Sequence, residues 1–174
     1  MSKPQSTALS IANGVLRVLI VVNWVYGACI FALLAFSIVN VPWFMRAIRV
    51  PSGTEALPIM IGLRAIAALG IFAIPLNHVL LTRLKRIVDT VGRGDPFVAV
   101  NASRLNTIAR TLLALQLLSL VIGGIGKAIS SPAFPLHLDA GFSINGWLAV
   151  ILTFVLARVF AEGTLMRQDL EGTV

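Results

Sequence analysis

Residues 18–39, VLIVVNWVYGACIFALLAFSIV, form an apolar stretch of 22 residues without a formal charge. As an α-helix rising about 1.5 Å per residue, the stretch is roughly 33 Å long, enough to cross a hydrocarbon core of about 30 Å. It exceeds the roughly 7–15 apolar residues of a signal peptide, and no small-x-small cleavage site follows it. The stretch therefore predicts a retained transmembrane helix.

Three further apolar runs of similar kind follow, at residues 57–81, 108–125 and 142–160. Only 12% of the chain is charged and the mean hydropathy is +0.92, whereas soluble domains are about 25% charged. With a single cysteine, Cys29, a disulfide-stapled fold is excluded as well. We therefore predict an all-α fold: a polytopic bundle of four transmembrane helices, forming one integral membrane domain over residues 1–174.

The basic residues predict the orientation of this bundle. Ten of the fourteen lie at the two termini, between the second and third spans, or at the span ends that adjoin these segments: Lys3, Arg17, Arg83, Lys85, Arg86, Arg93, Arg104, Arg110, Arg158 and Arg167. Because cytoplasmic loops carry the excess of Lys and Arg, both termini and the middle connection are predicted to be cytoplasmic. The same pattern accounts for the basic isoelectric point, so direct nucleic-acid binding is not expected.

The middle connection begins with an amphipathic segment, residues 81–91 (LTRLKRIVDTV). Its apolar residues recur at helical spacing, and Arg83, Lys85 and Arg86 occupy the other face. We expect the second helix to continue beyond the lipid and to end at Gly92 or Gly94. Its basic face is a candidate contact for anionic lipid headgroups or for a partner.

A turn motif, Gly94-Asp95-Pro96-Phe97, follows the amphipathic segment. Asp95 is expected to cap a new helix with Pro96 at its first position, and Phe97 is expected to dock the turn. Asn101 or Ser103 offers a second start signal before the third span. Gly94, Pro96 and Phe97 are candidate partner contacts.

Several short motifs lie around this turn and at the C-terminal end: Gly94-x-Pro96-Phe97, Asn101, Arg104-Leu105, Phe160-x-x-Gly163, Leu170 and Thr173-Val174. Together they resemble the bacterial domain-of-unknown-function family 2975, over nearly the whole chain. The resemblance implies a small four-helix protein of the bacterial inner membrane. It also implies a signalling partnership with a small helix-turn-helix regulator, because genes of that family often neighbour one of the Xre type.

Patterns that would predict catalysis are missing from the sequence. Gly124-Ile-Gly126-Lys127 departs from a phosphate-binding loop because Val121 and Ala128 occupy required positions. None of the seven acidic residues lies well inside a predicted span, which weakens a proton-coupled transport role. The sequence therefore predicts no catalytic residue, no metal ligand and no cofactor.

Arg64 is the charged residue that lies deepest in a predicted span, about seven residues, or roughly 10 Å, inside the second one. It is either an anion or headgroup site, or a structural residue that snorkels or pairs with Glu55 or Asp139; the structural interpretation is favoured. Four further polar residues fall within the spans or at their ends: Asn23, Asn77, His78 and Gln116. Asn23 and Gln116 are expected to hydrogen-bond between helices, and Asn77 and His78 to form a polar pair near the interface.

The sequence predicts two further structural features, a packing stripe in the fourth span and a short helix in the first connection. Ala149, Thr153, Ala157 and Ala161 repeat every four residues, and this stripe of small side chains permits close helix approach. It either packs inside the bundle, which is favoured, or forms the face of a homo-oligomer. The connection at residues 40–56, with Trp43 and Phe44, is expected to contain a short interfacial helix.

Two functional hypotheses follow. The first is a non-enzymatic membrane module that binds a partner or relays a signal through its cytoplasmic face. The alternative is a small transporter or channel, or an accessory subunit of a membrane complex, that uses Arg64 with Asn23, Asn77 and Gln116.

Overall fold

A computed structural model describes residues 7–49, 56–132 and 134–171, with side chains as far as residue 167. These residues form five helices: α1 (Thr7–Val39), α2 (Val41–Ala47), α3 (Ala56–Gly92), α4 (Ala99–Ile129) and α5 (Ile144–Glu171). Among them is one isolated bridge, between Ser131 and Phe134, and no strand. Four helices, α1, α3, α4 and α5, are long and apolar enough to cross a membrane. The predicted all-α fold, with four helices that could span a membrane, is therefore confirmed.

The long helices extend beyond the predicted apolar runs. α1 begins at Thr7 and ends at Val39, and α3 continues through Pro75 to Gly92, where the amphipathic pattern predicted its end. The short α2 confirms the predicted helix between the first two spans. α4 continues past its three glycines to Ile129, and Gly123 and Gly126 lie against the chain at residues 138–141.

The turn after α3 corrects one prediction. Asp95 and Pro96 do not begin a helix, because α4 begins at Ala99. The backbone N–H groups of Arg93 and Asp95 both donate to the Thr90 carbonyl, at 3.2 Å, and Gly94 has a φ of +84°. The turn therefore closes the C-terminus of α3, where carbonyl groups lack helical partners, instead of opening α4.

The chain divides into two compact units. The first comprises Met1–Asn23, Leu76–Ala114 and Ile144–Val174, and the second comprises Trp24–Pro75 and Leu115–Ser143. Buried apolar residues of the first unit include Leu16, Leu105, Ile108, Ala109, Val150 and Ala157; those of the second include Ile59, Met60 and Ile74.

Most large apolar side chains lie outside these cores. In α1, most of the large apolar side chains are exposed, among them Val18, Tyr26 and Phe31. Soluble monomers rarely expose apolar patches larger than a few hundred Å². This distribution is the one expected for side chains that face lipid.

Candidate functional site

Asn101 organises the polar contacts of the first unit. It is fully buried, at 0% exposure, in the first turn of α4. Its Nδ2 donates to Thr90 Oγ1 at 2.8 Å and to the Pro96 carbonyl at 2.9 Å, while its Oδ1 accepts from Arg104 Nη1 at 2.9 Å. One amide thus joins the end of α3, the turn and the start of α4.

Helix α5 holds the same turn from another direction. The Phe97 and Phe160 rings pack with centroids 5.2 Å apart. Gly163 leaves room for this contact, since a Cβ there would lie 3.4 Å from Phe97 Cδ1. Arg167 Nη1 donates to Asp95 Oδ1 in an ion pair. Residues 93–98, held by Asn101, Phe160 and Arg167, are called the braced turn below.

The braced turn gathers motif residues that are distant in sequence. Gly94 adopts a left-handed conformation that favours glycine. Pro96 supplies a carbonyl acceptor and Phe97, 44% exposed, supplies the ring that meets α5. The side chain of Leu170 and residues Thr173 and Val174 lie outside the described part of the chain. The motifs thus share a local structural role at the turn.

Arg93, the first residue of the braced turn, and three arginines of α3 and α4 form what is called the basic cluster: Arg83, Arg86, Arg93 and Arg104. In the described residues none of them forms an ion pair with a carboxylate, whereas Lys85 pairs with Asp89 at 2.9 Å. Arg104 Nη1 also donates to the Arg86 carbonyl at 3.0 Å. Arg86 and Arg93 are exposed.

Two pKa shifts reflect this charge distribution, and both groups lie outside the predicted spans. Partial burial, and then the positive charges of Arg86, Arg83 and Arg93, lower the pKa of the Arg104 guanidinium. An arginine nevertheless stays protonated at neutral pH. The hydrogen bond from Lys85 lowers the pKa of Asp89 from its ordinary value of 3.8. The cluster therefore carries a net positive field at physiological pH.

Arg64, in the second unit, is held by a residue that the sequence did not single out. Its Nη2 donates to the Ser37 carbonyl at 2.6 Å and its Nε lies 3.4 Å from Ser37 Oγ. Ser37 is 2% exposed, and its hydroxyl donates to the Leu34 carbonyl at 2.7 Å. Because Ser37 lies in the last turn of α1, its carbonyl lacks a helical donor, and Arg64 caps it.

Of the two acidic partners expected for Arg64, the structure describes only Asp139. No ion pair joins Arg64 to Asp139, although both residues are described. Glu55 lies outside the described residues. Arg64 and Asp139 instead line one cavity of about 570 Å³, whose wall is mostly apolar and includes Tyr26, Leu34, Phe44 and Ala67. We call it the Arg64 cavity.

The other predicted intramembrane residues do not line the Arg64 cavity. Asn23, Asn77, His78 and Gln116 are absent from its wall. Asn23, Asn77 and His78 are half-buried, and the His78 carbonyl accepts from Thr82 Oγ1 at 2.7 Å. Gln116 is buried, but its Nε2 has no hydrogen-bond partner among the described residues, contrary to the bond expected there. The Arg64 cavity therefore does not bring Arg64 together with the other four polar residues that were predicted to lie within the spans.

The small-residue stripe of α5 lies on a covered face. Ala157 is buried, and Ala149, Thr153 and Ala161 are half-buried. The large residues between them, including Leu152, Val155 and Val159, are exposed. This placement is the one that internal helix packing requires.

Within the described residues, no group of three or more His, Cys, Asp or Glu side chains could hold a metal ion. Comparisons with family models, curated proteins and solved structures find no match to this chain. The resemblance to family 2975 therefore stays a prediction, and the two sites must be interpreted from their own geometry.

Proposed function

We propose that this chain is a non-enzymatic integral membrane module that docks an acidic segment of a partner protein on its basic cluster and braced turn. One observation carries the proposal: the turn is held by contacts to α3, α4 and α5, and the four arginines of the basic cluster form no ion pair with a carboxylate among the described residues. A pre-organised surface loses little conformational entropy on binding. Matched charge then supplies specificity.

The position of these residues along α3 favours a partner on the aqueous side. If the second span ends at residue 81, Arg86 lies about 8 Å and Arg93 about 18 Å further along the helix. The headgroup layer is roughly 5–8 Å deep on each side of the bilayer. Arg83 and Arg86 thus lie at the level of the headgroups, whereas Arg93 and the braced turn extend beyond them, toward the cytoplasm in the predicted orientation.

The family resemblance supplies the first partner to try, a small helix-turn-helix regulator. In that arrangement the module would relay a membrane signal, with both of its termini in the cytoplasm of a bacterial cell. The transporter alternative gains no support from the Arg64 cavity, whose wall lacks the other predicted polar residues.

A photo-cross-linking amino acid at position 93 tests the proposal in native membranes, with the same amino acid at the exposed Arg46 of α2 as a matched control. We expect a discrete protein adduct at position 93 only, mapped by mass spectrometry to an acidic segment. The adduct should decrease at least fivefold when Arg83 and Arg86 are both changed to Gln. Lipid adducts alone, or identical adducts at both positions, would contradict the proposal.

A further inference from the structure

The Arg64 cavity combines an apolar wall with two opposite charges. Its volume of about 570 Å³ lies within the range of roughly 300–1,000 Å³ that is typical of ligand sites. Among the described residues, Arg64 and Asp139 are the formally charged members of its wall, and no ion pair joins them. A ligand that fits must therefore be largely apolar and carry both an anion and a cation.

Arg64 retains donors for such an anion. Its Nε and Nη2 are directed to Ser37, whereas no acceptor for Nη1 is found among the described residues. Because Ser37 is buried and its hydroxyl is bonded to Leu34, the guanidinium has a fixed position. Phosphate and carboxylate are the anions whose geometry suits the planar fork of a guanidinium.

Asp139 is positioned by the chain that follows it. The Gly141 N–H donates to Ser119 Oγ at 3.1 Å, and Ser119 Oγ lies 3.3 Å from the Gly141 carbonyl. The backbone at residues 140–141 lies so close to α4 that a Cβ on Gly123 would be 2.6 Å from the Ala140 carbonyl oxygen. This contact leaves the exposed Asp139 carboxylate in the wall of the cavity, where a cation can reach it.

The level of Arg64 along the membrane normal favours a lipid. Its guanidinium meets Ser37, two residues before the end of α1, or about 3 Å from the end of the first predicted span. Although the Arg64 backbone lies deeper, its charge is thus near the edge of the hydrocarbon core. Phospholipid phosphates lie just beyond that edge.

From these observations we infer that the Arg64 cavity binds one phospholipid with a primary amine in its headgroup, such as phosphatidylethanolamine. The phosphate accepts from Arg64, the ammonium donates to Asp139, and part of one acyl chain lies along the apolar wall. This site is separate from the proposed partner surface, since all of its residues belong to the second unit.

Native mass spectrometry of the purified full chain tests the inference. The chain is titrated with dioleoyl phosphatidylethanolamine, phosphatidylcholine or phosphatidylglycerol, and retained lipid is counted. We expect one tightly held phosphatidylethanolamine, preferred about tenfold over phosphatidylglycerol, with phosphatidylcholine between them because it lacks N–H donors. Arg64→Gln should reduce phosphatidylethanolamine retention at least tenfold, and Asp139→Asn should abolish the preference over phosphatidylglycerol.

Two further variants separate the site from general lipid binding. Ala67→Phe fills the apolar wall without changing a charge, and should reduce retention of all three lipids. Arg46→Gln, at an exposed arginine of α2, should leave retention unchanged. Equal retention of the three lipids by the unmodified chain would show annular lipid only and overturn the inference. Since Asp139 is exposed, Asp139→Asn is expected to fold even if Arg64→Gln does not, and an unchanged preference in it would overturn the inference as well.

Discussion

Asn101 and Arg64 are both polar residues on long helices of a membrane protein, yet their bonding differs. Asn101 is completely buried, and both Nδ2 and Oδ1 of its amide are bonded to Thr90, Pro96 or Arg104. Arg64 uses Nε and Nη2 to cap α1 and lies at a cavity. A polar group with every bond made inside the protein stabilises the fold, whereas one with a donor to spare beside a cavity can bind a ligand.

The same difference in bonding distinguishes the two regions that the sequence predicted to be functional, the turn after α3 and the surroundings of Arg64. At the braced turn, the motif residues are engaged with one another, so binding there depends on the neighbouring arginines. At the Arg64 cavity, the charged residues are themselves the proposed ligand contacts. Four experiments measure how far this distinction extends.

The largest effect is expected at Asn101. Asn101→Ala removes the hydrogen-bond partner of the Pro96 carbonyl, the donor to the buried Thr90 hydroxyl and one of the two acceptors of Arg104 Nη1. The loss should cost about 2–4 kcal/mol of unfolding free energy. Reversible denaturation in mild detergent measures this loss. Asn145→Ala, at an exposed residue of α5, serves as the control and should stay within about 0.5 kcal/mol. Similar values for the two variants would show that the network does not hold the turn.

Gly163 tests the packing of Phe97 against α5. A Cβ at this position makes ordinary contact with the ring at 3.4 Å, so Gly163→Ala should be neutral or stabilise by up to about 1 kcal/mol through helix propensity. Gly163→Val adds two methyl groups beyond that Cβ. These groups should displace the Phe97 ring and lower the free energy of unfolding by about 1–3 kcal/mol. Thermal unfolding of the two variants in parallel gives the comparison, and equal melting temperatures would count against the contact.

Arg64→Gln should reduce stability less than Asn101→Ala does. Hydrogen bonds between membrane helices contribute roughly 0.6–1.7 kcal/mol, and glutamine can still donate toward the Ser37 carbonyl. We therefore expect a loss of about 1 kcal/mol in the same denaturation assay, measured in delipidated detergent. A loss as large as that of Asn101→Ala would make Arg64 chiefly a structural residue.

The smallest effect is expected for the ion pair of Asp95 and Arg167, whose side chains are both 47% exposed. A double-mutant cycle with Asp95→Asn and Arg167→Gln should give a coupling of about 0.2–1 kcal/mol. The coupling should fall in 1 M salt, where the Debye length is about 3 Å. A coupling free energy that does not change with salt would indicate that the two side chains interact through contacts other than their charges.

The amphipathic pattern after residue 81 correctly predicted that α3 continues to Gly92, because helical periodicity is a local property of the sequence. The expectation that Asp95 caps a helix was wrong, because a capping residue next to proline resembles a helix start even where the backbone closes the preceding helix. Ser37 was missed altogether. A single hydroxyl near the end of an apolar run is unremarkable until Arg64, 27 positions later, reaches its carbonyl.

The sequence by itself determined that the chain is helical and has four runs long enough to cross a membrane. In lipid every backbone polar group must be satisfied within the segment, and an uncharged run of about 20 residues satisfies this condition as a helix. Only the tertiary structure decided which polar side chains are engaged. The partners of Asn101 and Arg64 come from other segments, so no pattern of spacing reveals that one side chain has all its bonds and the other has a donor left for a ligand.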